Sequence, residues 1–371
     1  MNLPDSASGS PTGEPRPEGS GDTTLVTLDA IRAAAEVIHG VVVRTPLLPF
    51  GRPDDGDRLG RTRAWLKPES LQPTGSFKLR GAYYNIATLS AARRAAGVVA
   101  HSSGNHAQGV ARAARLLGVR AVIVMPSDAP RIKVERVLED GAEIVFVGPS
   151  SEERARRASE LARTEGLSPV APYDDPATIT GQGTVGLEIV EQLAEVDPRE
   201  PAGPGVRTPA SPPFTVLVPV GGGGLASGVA VAVKSLVPDA VVIGVEPALA
   251  ADGRDSLARG EVVAWPAETV ALTIADGQRT TSIGRIPFAI FQRHLEGIVT
   301  VTDDEIARAM VRASREARLV LEPSGATTLA AWLFHRDELP SSGRVVCVLS
   351  GGNVDAALYD ELVARGIAAG G

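Results

Sequence analysis

Lys78 sits in the stretch PTGSFKLRGA, after the small residues Gly75 and Ser76 and between Phe77 and Leu79. A lysine in such company is either a surface group at a helix start or an amine held for chemistry. It acts as a nucleophile or forms a Schiff base only when its pKa falls well below about 10.4. Three further stretches offer polar groups with little bulk. Gly221 to Gly224 are four consecutive glycines. Such a run permits positive φ and lets backbone N–H groups approach a phosphate, with the partial positive charge of a helix start behind them. A plain turn is the alternative. The run is neither a dinucleotide fingerprint nor a P-loop. Ser102 to His106 read SSGNH. Their hydroxyls and amide suit a carboxylate or a polar ring substituent, and Ser and Asn serve equally well as helix caps. Ser350 to Asn353 read SGGN, which alone is an ordinary strand-to-helix turn. Glu246 and Asp252, with the carbonyl of Ala250 between them, read either as a grip on a hard cation or as two solvated carboxylates.

These stretches need a scaffold, and the chain supplies an alternating one. Short Val/Ile-rich runs lie at 97–103, 121–126, 143–148, 215–224, 240–247 and 345–353, and most end in Gly, Pro or Ser. Helical patterns separate them. Strands alternating with helices imply βαβ units around mainly parallel sheets. Ligands of such sheets bind beyond the carboxyl ends of strands, where SSGNH, GGGG and SGGN all fall. An amine, a phosphate cradle and polar loops for a ring together fit pyridoxal phosphate, which needs a partner for its aldehyde, its phosphate, its O3′ and its ring nitrogen.

Composition narrows the class. The chain has 371 residues, 43% hydrophobic and 4% aromatic, and is long enough for two cores. A net charge of −7 argues against a nucleic-acid partner. The lone Cys347 excludes an intrachain disulfide. There is neither an apolar run long enough to span a membrane nor an apolar signal core, so a cytoplasmic location is expected. Residues 1–22 are rich in Gly, Pro and Ser and read as a disordered tail. Residues 197–213 hold six prolines and read as an inserted loop.

The ordered motifs PTGSFKLRGA, HSSGNHAQGVA, PVGGGGLASG, GVEP, TIADG, EPSGA and LSGGNVD resemble the β-family of pyridoxal-phosphate enzymes, specifically its serine/threonine dehydratases and serine racemases. The likeness runs from about residue 24 to 368 and leaves out only the tail and the Pro-rich insert. It implies a fold type II enzyme of two domains, each with a mainly parallel, helix-flanked twisted sheet. The large domain would comprise 23–90 and 173–371, the small one 91–172, with no C-terminal regulatory domain. It implies that Lys78 holds the cofactor's aldehyde, with Phe77 beside it. Asn105 would meet O3′. Gly221, Gly222, Gly223 and Gly224, with Leu225 N–H, would hold the phosphate. Ser350 would face the ring nitrogen, with Glu322 near. Ser102, Ser103, Asn105 and His106 would receive the substrate carboxylate, and Ser103 stands where racemases place the acid/base of the second face. Glu246, Ala250 and Asp252 would hold Mg²⁺ or Ca²⁺. Arg154 falls near a distal-group position of some racemases. The implied reaction is β-elimination of L-threonine or L-serine. Serine racemization with side elimination, or 3-hydroxyaspartate dehydration, is the alternative. A homodimer or homotetramer is the implied assembly.

Overall fold

The computed structural model describes residues 26–51, 63–102, 104–129, 131–148, 151–196, 214–340 and 343–371. The expected tail, the Pro-rich insert and Ser103 lie outside the described residues. Ten strands are present among those described: β1 (Leu48–Phe50), β2 (Arg63–Pro68), β3 (Val98–His101), β4 (Ala121–Pro126), β5 (Glu143–Val147), β6 (Ser168–Pro169), β7 (Phe214–Pro219), β8 (Val241–Pro247), β9 (Gly297–Val301) and β10 (Arg344–Leu349). They form a six-stranded sheet of order β1-β2-β10-β7-β8-β9 and a four-stranded sheet of order β5-β4-β3-β6. Only the β1–β2 pairing is antiparallel. Every residue of β4 and β7 is buried, as strands covered on both faces require.

Fourteen α-helices accompany them among the described residues. They are α1 (Leu28–Ile38), α2 (Lys78–Ala87), α3 (Ala91–Ala96), α4 (Asn105–Leu117), α5 (Arg131–Glu139), α6 (Ser151–Glu165), α7 (Pro176–Val196), α8 (Gly224–Leu236), α9 (Asp252–Arg259), α10 (Ala267–Val270), α11 (Arg285–His294), α12 (Asp303–Arg312), α13 (Pro323–Phe334) and α14 (Ala356–Ala368). Of these, α4, α8 and α9 start at or just beyond the carboxyl ends of β3, β7 and β8. Strands β2 and β10 run parallel in register up to Pro68 and Leu349. The loops that follow them therefore leave the sheet side by side. The Phe77 N–H donates to the Ser350 carbonyl at 3.1 Å, and the Gly352 N–H to Gly75 O at 2.9 Å. Gly75 takes φ +69°, and a Cβ there would run into the Asn353 side chain, so this crossing needs glycine.

Helix α2 is anchored by a buried ionic cluster. Arg80 reaches both oxygens of Glu69 at 2.7 and 2.9 Å and both oxygens of Glu188 at 2.6 and 3.0 Å. Lys67, on β2, donates to Glu188 at 2.5 Å, to Thr45 O at 2.8 Å and to Gln192 at 2.9 Å. Lys67, Glu69 and Arg80 are fully buried. Burial opposes the charge on Glu69, and the facing Arg80 guanidinium outweighs it, holding the carboxyl below its usual range. Each cation meets an anion bidentately or with extra acceptors, which is the condition under which buried ions are tolerated. Arg80→Leu would strand Glu69 without its partner. The expected loss is about 3–5 kcal/mol in urea unfolding; a loss below about 1 kcal/mol would contradict this reading of the cluster.

Candidate active site

Lys78 is the first residue of α2. Its Nζ donates to the Pro172 carbonyl at 2.9 Å and stands 5.0 Å from the centre of the Phe77 ring. Burial pushes its pKa down to about 8, against a smaller opposing pull from Glu322. At that value about one amine in ten is neutral at pH 7. The surface-lysine alternative is thereby set aside for a held amine.

The glycine run packs next to the same segment. Gly223 precedes α8 with φ +93°, and no side chain caps that helix. A Cβ on Gly222 would collide with the Tyr173 ring, and one on Gly223 would meet Pro287 at 2.6 Å and Phe291 at 3.0 Å. Side chains close on the loop from two sides, which a mobile turn would not show. Its backbone comes close to its surroundings, and the first N–H groups of α8, Leu225 among them, have no side-chain acceptor. An anion such as a phosphate fits this cradle.

On the other sheet, SSGNH joins β3 to α4. The Ser102 hydroxyl accepts the Gly104 N–H at 3.2 Å. Gly104 is the cap residue of α4 and has no side-chain cap, so the capping reading of Ser and Asn does not hold for Asn105. His106 is buried, with Nε2 2.8 Å from the Val170 carbonyl. Burial, and then the Lys78 charge, push its pKa down to about 3, so the ring is neutral.

Asn105 reaches across to the large sheet. Its Nδ2 donates to Glu322 Oε1 at 2.6 Å, and its Oδ1 accepts from Asn353 Nδ2 at 2.8 Å. Glu322 immediately precedes α13, without capping it through its side chain, and is buried. Burial raises its pKa to about 8, Asp276 adds to the rise, and the Asn105 bond opposes it. Ser350 is buried, with Oγ 3.3 Å from Ser324 O. Lys78, Phe77, Asn105, Glu322 and Ser350 thus converge where the two sheets face each other, and the glycine run joins them through Pro172 and Tyr173.

Glu246 and Asp252 form a separate pair at the end of β8. Glu246 is fully buried, and its oxygens accept the Gly253 and Arg254 N–H groups, each at 2.9 Å. Burial, then repulsion from Asp252, hold its pKa well above the usual carboxylate range. Burial raises Asp252 to about 7. Both Asp252 carboxylate oxygens are buried, and only the backbone N–H groups of Asp252 itself and Ile283 lie near enough to act on them, neither in good hydrogen-bond geometry. Ala250 is buried between the two. The solvated-loop alternative fails for this pair. Among the described residues no group of three His, Cys, Asp or Glu side chains gathers around a metal position, so carbonyls would have to complete a cation's shell.

Several contributors were not singled out in the sequence. Tyr173 packs on the glycine run, Pro172 accepts from Lys78, and Asp174 accepts the Arg285 and Ile286 N–H groups at 3.2 and 2.9 Å. All three lie in PYDD, which follows the two-residue strand β6. That stretch reads as a turn, and a strand so short gives no periodic signal. A cavity of about 600 Å³ opens beside it, lined in part by His101, Tyr173, Ser282 and Arg285.

A held lysine, a glycine cradle before a helix and polar loops meeting between two parallel sheets define a pyridoxal-phosphate type of active site. Residues 38–351 match the family model described as pyridoxal-phosphate dependent enzyme. The chain is 38% identical over 347 residues to an L-threonine ammonia-lyase of Thermotoga maritima, covering 94% of this chain and 80% of that one. It is 37% identical to an L-threo-3-hydroxyaspartate ammonia-lyase of Saccharomyces cerevisiae, covering 89% and 94%. The structure of maize serine racemase superposes with a TM-score of 0.81 at 34% identity, covering 93% and 98%. The chain belongs to the pyridoxal-phosphate dependent enzyme family, and its two helix-flanked, mainly parallel sheets have the fold type II architecture.

Glu322 makes a pH prediction. Its folded pKa of about 8 exceeds the unfolded value of about 4.3. Between these values the folded chain keeps a proton that the unfolded chain has lost, so its contribution is complete at low pH and declines as pH rises towards 8. In the cofactor-free protein, Glu322→Gln should therefore gain on wild type as pH rises from 5 to 8, by at most about 1.4 kcal/mol per pH unit. Unfolding curves whose difference does not vary with pH would contradict it.

Proposed function

We propose that this enzyme catalyses β-elimination of L-threonine and L-serine, releasing ammonia and 2-oxobutanoate or pyruvate. The observation that carries the reading is the buried Lys78 amine, lowered to about 8 and surrounded by Asn105, Glu322, Ser350 and the glycine cradle. The likeness to an L-threonine ammonia-lyase over 94% of the chain supports the substrate.

The residues fit the cofactor. Gly221 to Gly224 and Leu225 N–H would hold its phosphate, Asn105 its O3′ and Ser350 its ring nitrogen, with Phe77 beside it. Bound pyridoxal phosphate supplies an aldehyde for the substrate amine and a ring that withdraws electrons from Cα. Lys78 holds the cofactor and, once free, takes the Cα proton as general base; its lowered pKa keeps a usable neutral fraction. Ser350 is a neutral hydroxyl and does not force a proton onto the ring nitrogen as a carboxylate would. The polar groups of Ser102, Asn105 and the α4 start, with neutral His106, orient the substrate carboxylate. Ser103 keeps its assignment there, and as the second-face acid/base, from the resemblance.

Two other readings have support. Maize serine racemase shares the fold closely, and a proton returned from the Ser103 side would give racemization. The cavity bearing Ser282 and Arg285 suits a second carboxylate, as 3-hydroxyaspartate would present, with Arg154 acting on His101 from nearby. We assign the six-stranded sheet to a large domain of 23–90 and 173–371, and the four-stranded sheet to a small domain of 91–172. Assembly as a homodimer or homotetramer and a cytoplasmic location complete the proposal; no helix among the described residues is long and apolar enough to cross a membrane.

The test is incubation with L-threonine, L-serine, D-serine and L-threo-3-hydroxyaspartate, measuring 2-oxo acid and product chirality together. Oxo acid should form from L-threonine and L-serine, and Lys78→Ala should reduce it by about a thousandfold or more. Serine inversion without oxo acid, or activity surviving Lys78→Ala, would overturn the reading.

The orphaned Asp252 oxygens fit a hard cation, and Glu246, Asp252 and the Ala250 carbonyl would hold Mg²⁺ or Ca²⁺. Either ion at about a hundred times its Kd should add about 2.7 kcal/mol to stability. Asp252→Asn should remove the gain. Identical melting in chelator and in metal would contradict the site.

A further inference from the structure

Helix α5 belongs to the four-stranded sheet, yet two of its side chains cross to the other. Lys133 Nζ donates to Asp276 Oδ2 at 2.8 Å, and Arg136 Nη1 donates to Asn353 Oδ1 at 2.6 Å. The two are three positions apart, so they leave one face of the helix. Asn353 is the last residue of SGGN, and its side chain has no role in the reaction proposed above.

The Arg136 contact has a directional consequence. Arginine has only donors, so the atom of Asn353 it meets must be the carbonyl oxygen. That fixes the Asn353 amide group, and Nδ2 then spends its two hydrogens on Thr74 O at 2.7 Å and Asn105 Oδ1 at 2.8 Å. Accepting at Oδ1 fixes Asn105 in turn, so its Nδ2 is the donor to Glu322 Oε1 at 2.6 Å. The chain runs from a cation on α5 through two amides to a buried carboxyl group, every bond pointing the same way. Thr74 O can only accept, so it too holds the Asn353 amide this way round; losing Arg136 removes the charge-assisted bond at the amide oxygen and leaves the orientation to the Thr74 bond alone. The remaining Asn105 Nδ2 hydrogen has no acceptor among the described residues and is free for a ligand atom.

We propose that Arg136 is a positioning residue: acting through Asn353, it holds the Asn105 amide with its nitrogen towards the cofactor's O3′. This rests on the assignment of Asn105 to that atom. It also makes the site depend on α5 lying against the SGGN loop, with the Lys133–Asp276 pair as the second tether.

The variants are Arg136→Met, which fills the space without a donor, and Arg136→Lys, which keeps a cationic donor. Cofactor-free protein is titrated with pyridoxal phosphate and followed by visible absorbance. Arg136→Met should weaken cofactor binding about tenfold and shift the absorption maximum of the bound form. Arg136→Lys should restore most of the affinity and the wild-type maximum. An Arg136→Met protein that binds within twofold of wild type with an unchanged band overturns the proposal, and so does an Arg136→Lys protein no better than Arg136→Met. The relay is also read without cofactor. Melting of Arg136→Met, Asn353→Ala and the double variant should be non-additive, because either change breaks the same bond; additive losses overturn the relay. Failure of wild type to form a Lys78-dependent visible band would instead refute the cofactor assignment, and the cofactor-free cycle would still decide the relay.

Discussion

Two backbone hydrogen bonds, from Phe77 N–H to Ser350 O and from Gly352 N–H to Gly75 O, join the loops after β2 and β10. Almost everything else at the site follows from that join. Parallel pairing of the two strands up to Pro68 and Leu349 delivers both loops to one edge. The join then sets Lys78 at the start of α2, Ser350 at the end of β10 and Asn353 against Gly75 in one fixed relation. Arg80, two residues beyond Lys78, locks the same helix from behind through Glu69 and Glu188. A large cost in buried charge is tolerated there because every ion is paired, and what it secures is the direction in which one amine points.

Burial then sets the chemistry. Lys78 and Glu322 lie in a region poor in water, where each disfavours its own ionised form, one moving down to about 8 and the other up to about 8. His106 takes the opposite course. Driven to about 3, it stays neutral and serves through shape and one bond to Val170. Glu246 and Asp252 show the same desolvation without an ion pair, Glu246 being offset only by two backbone N–H bonds and the Arg254 charge, and this sets them apart from the paired ions around Arg80.

Much of this was legible in the sequence, for identifiable reasons. The runs that became β3, β4, β7, β8 and β10 are continuous and apolar because both sheet faces are covered, so they stand out without alternation; β5 is as apolar but lies partly exposed at the sheet edge. Strand β2 escaped notice because RAWLKP carries Lys67, whose burial is made possible only by Glu188 and Gln192, far along the chain. Strands β1 and β6 are too short to give a period, and β9 ends without the Gly, Pro or Ser that marks most of the others. Helix α7 begins at Pro176, and Pro, Ala and Thr in its first turn carry little apolar signal of that start. At the site, lysine and glycines announced themselves by type and position. The partners that orient them, Pro172 O, Asn353 and Arg136, act through backbone carbonyls or through contacts between segments remote in sequence, and no spacing encodes those.

The central claim is that Lys78 is the amine that carries the cofactor. The most direct measurement is borohydride reduction of the cofactor-loaded enzyme followed by peptide mapping. A single pyridoxyl group is expected, on Lys78, and none in Lys78→Ala. A label on another lysine, or one spread over several while Lys78 stays unmodified, would contradict it.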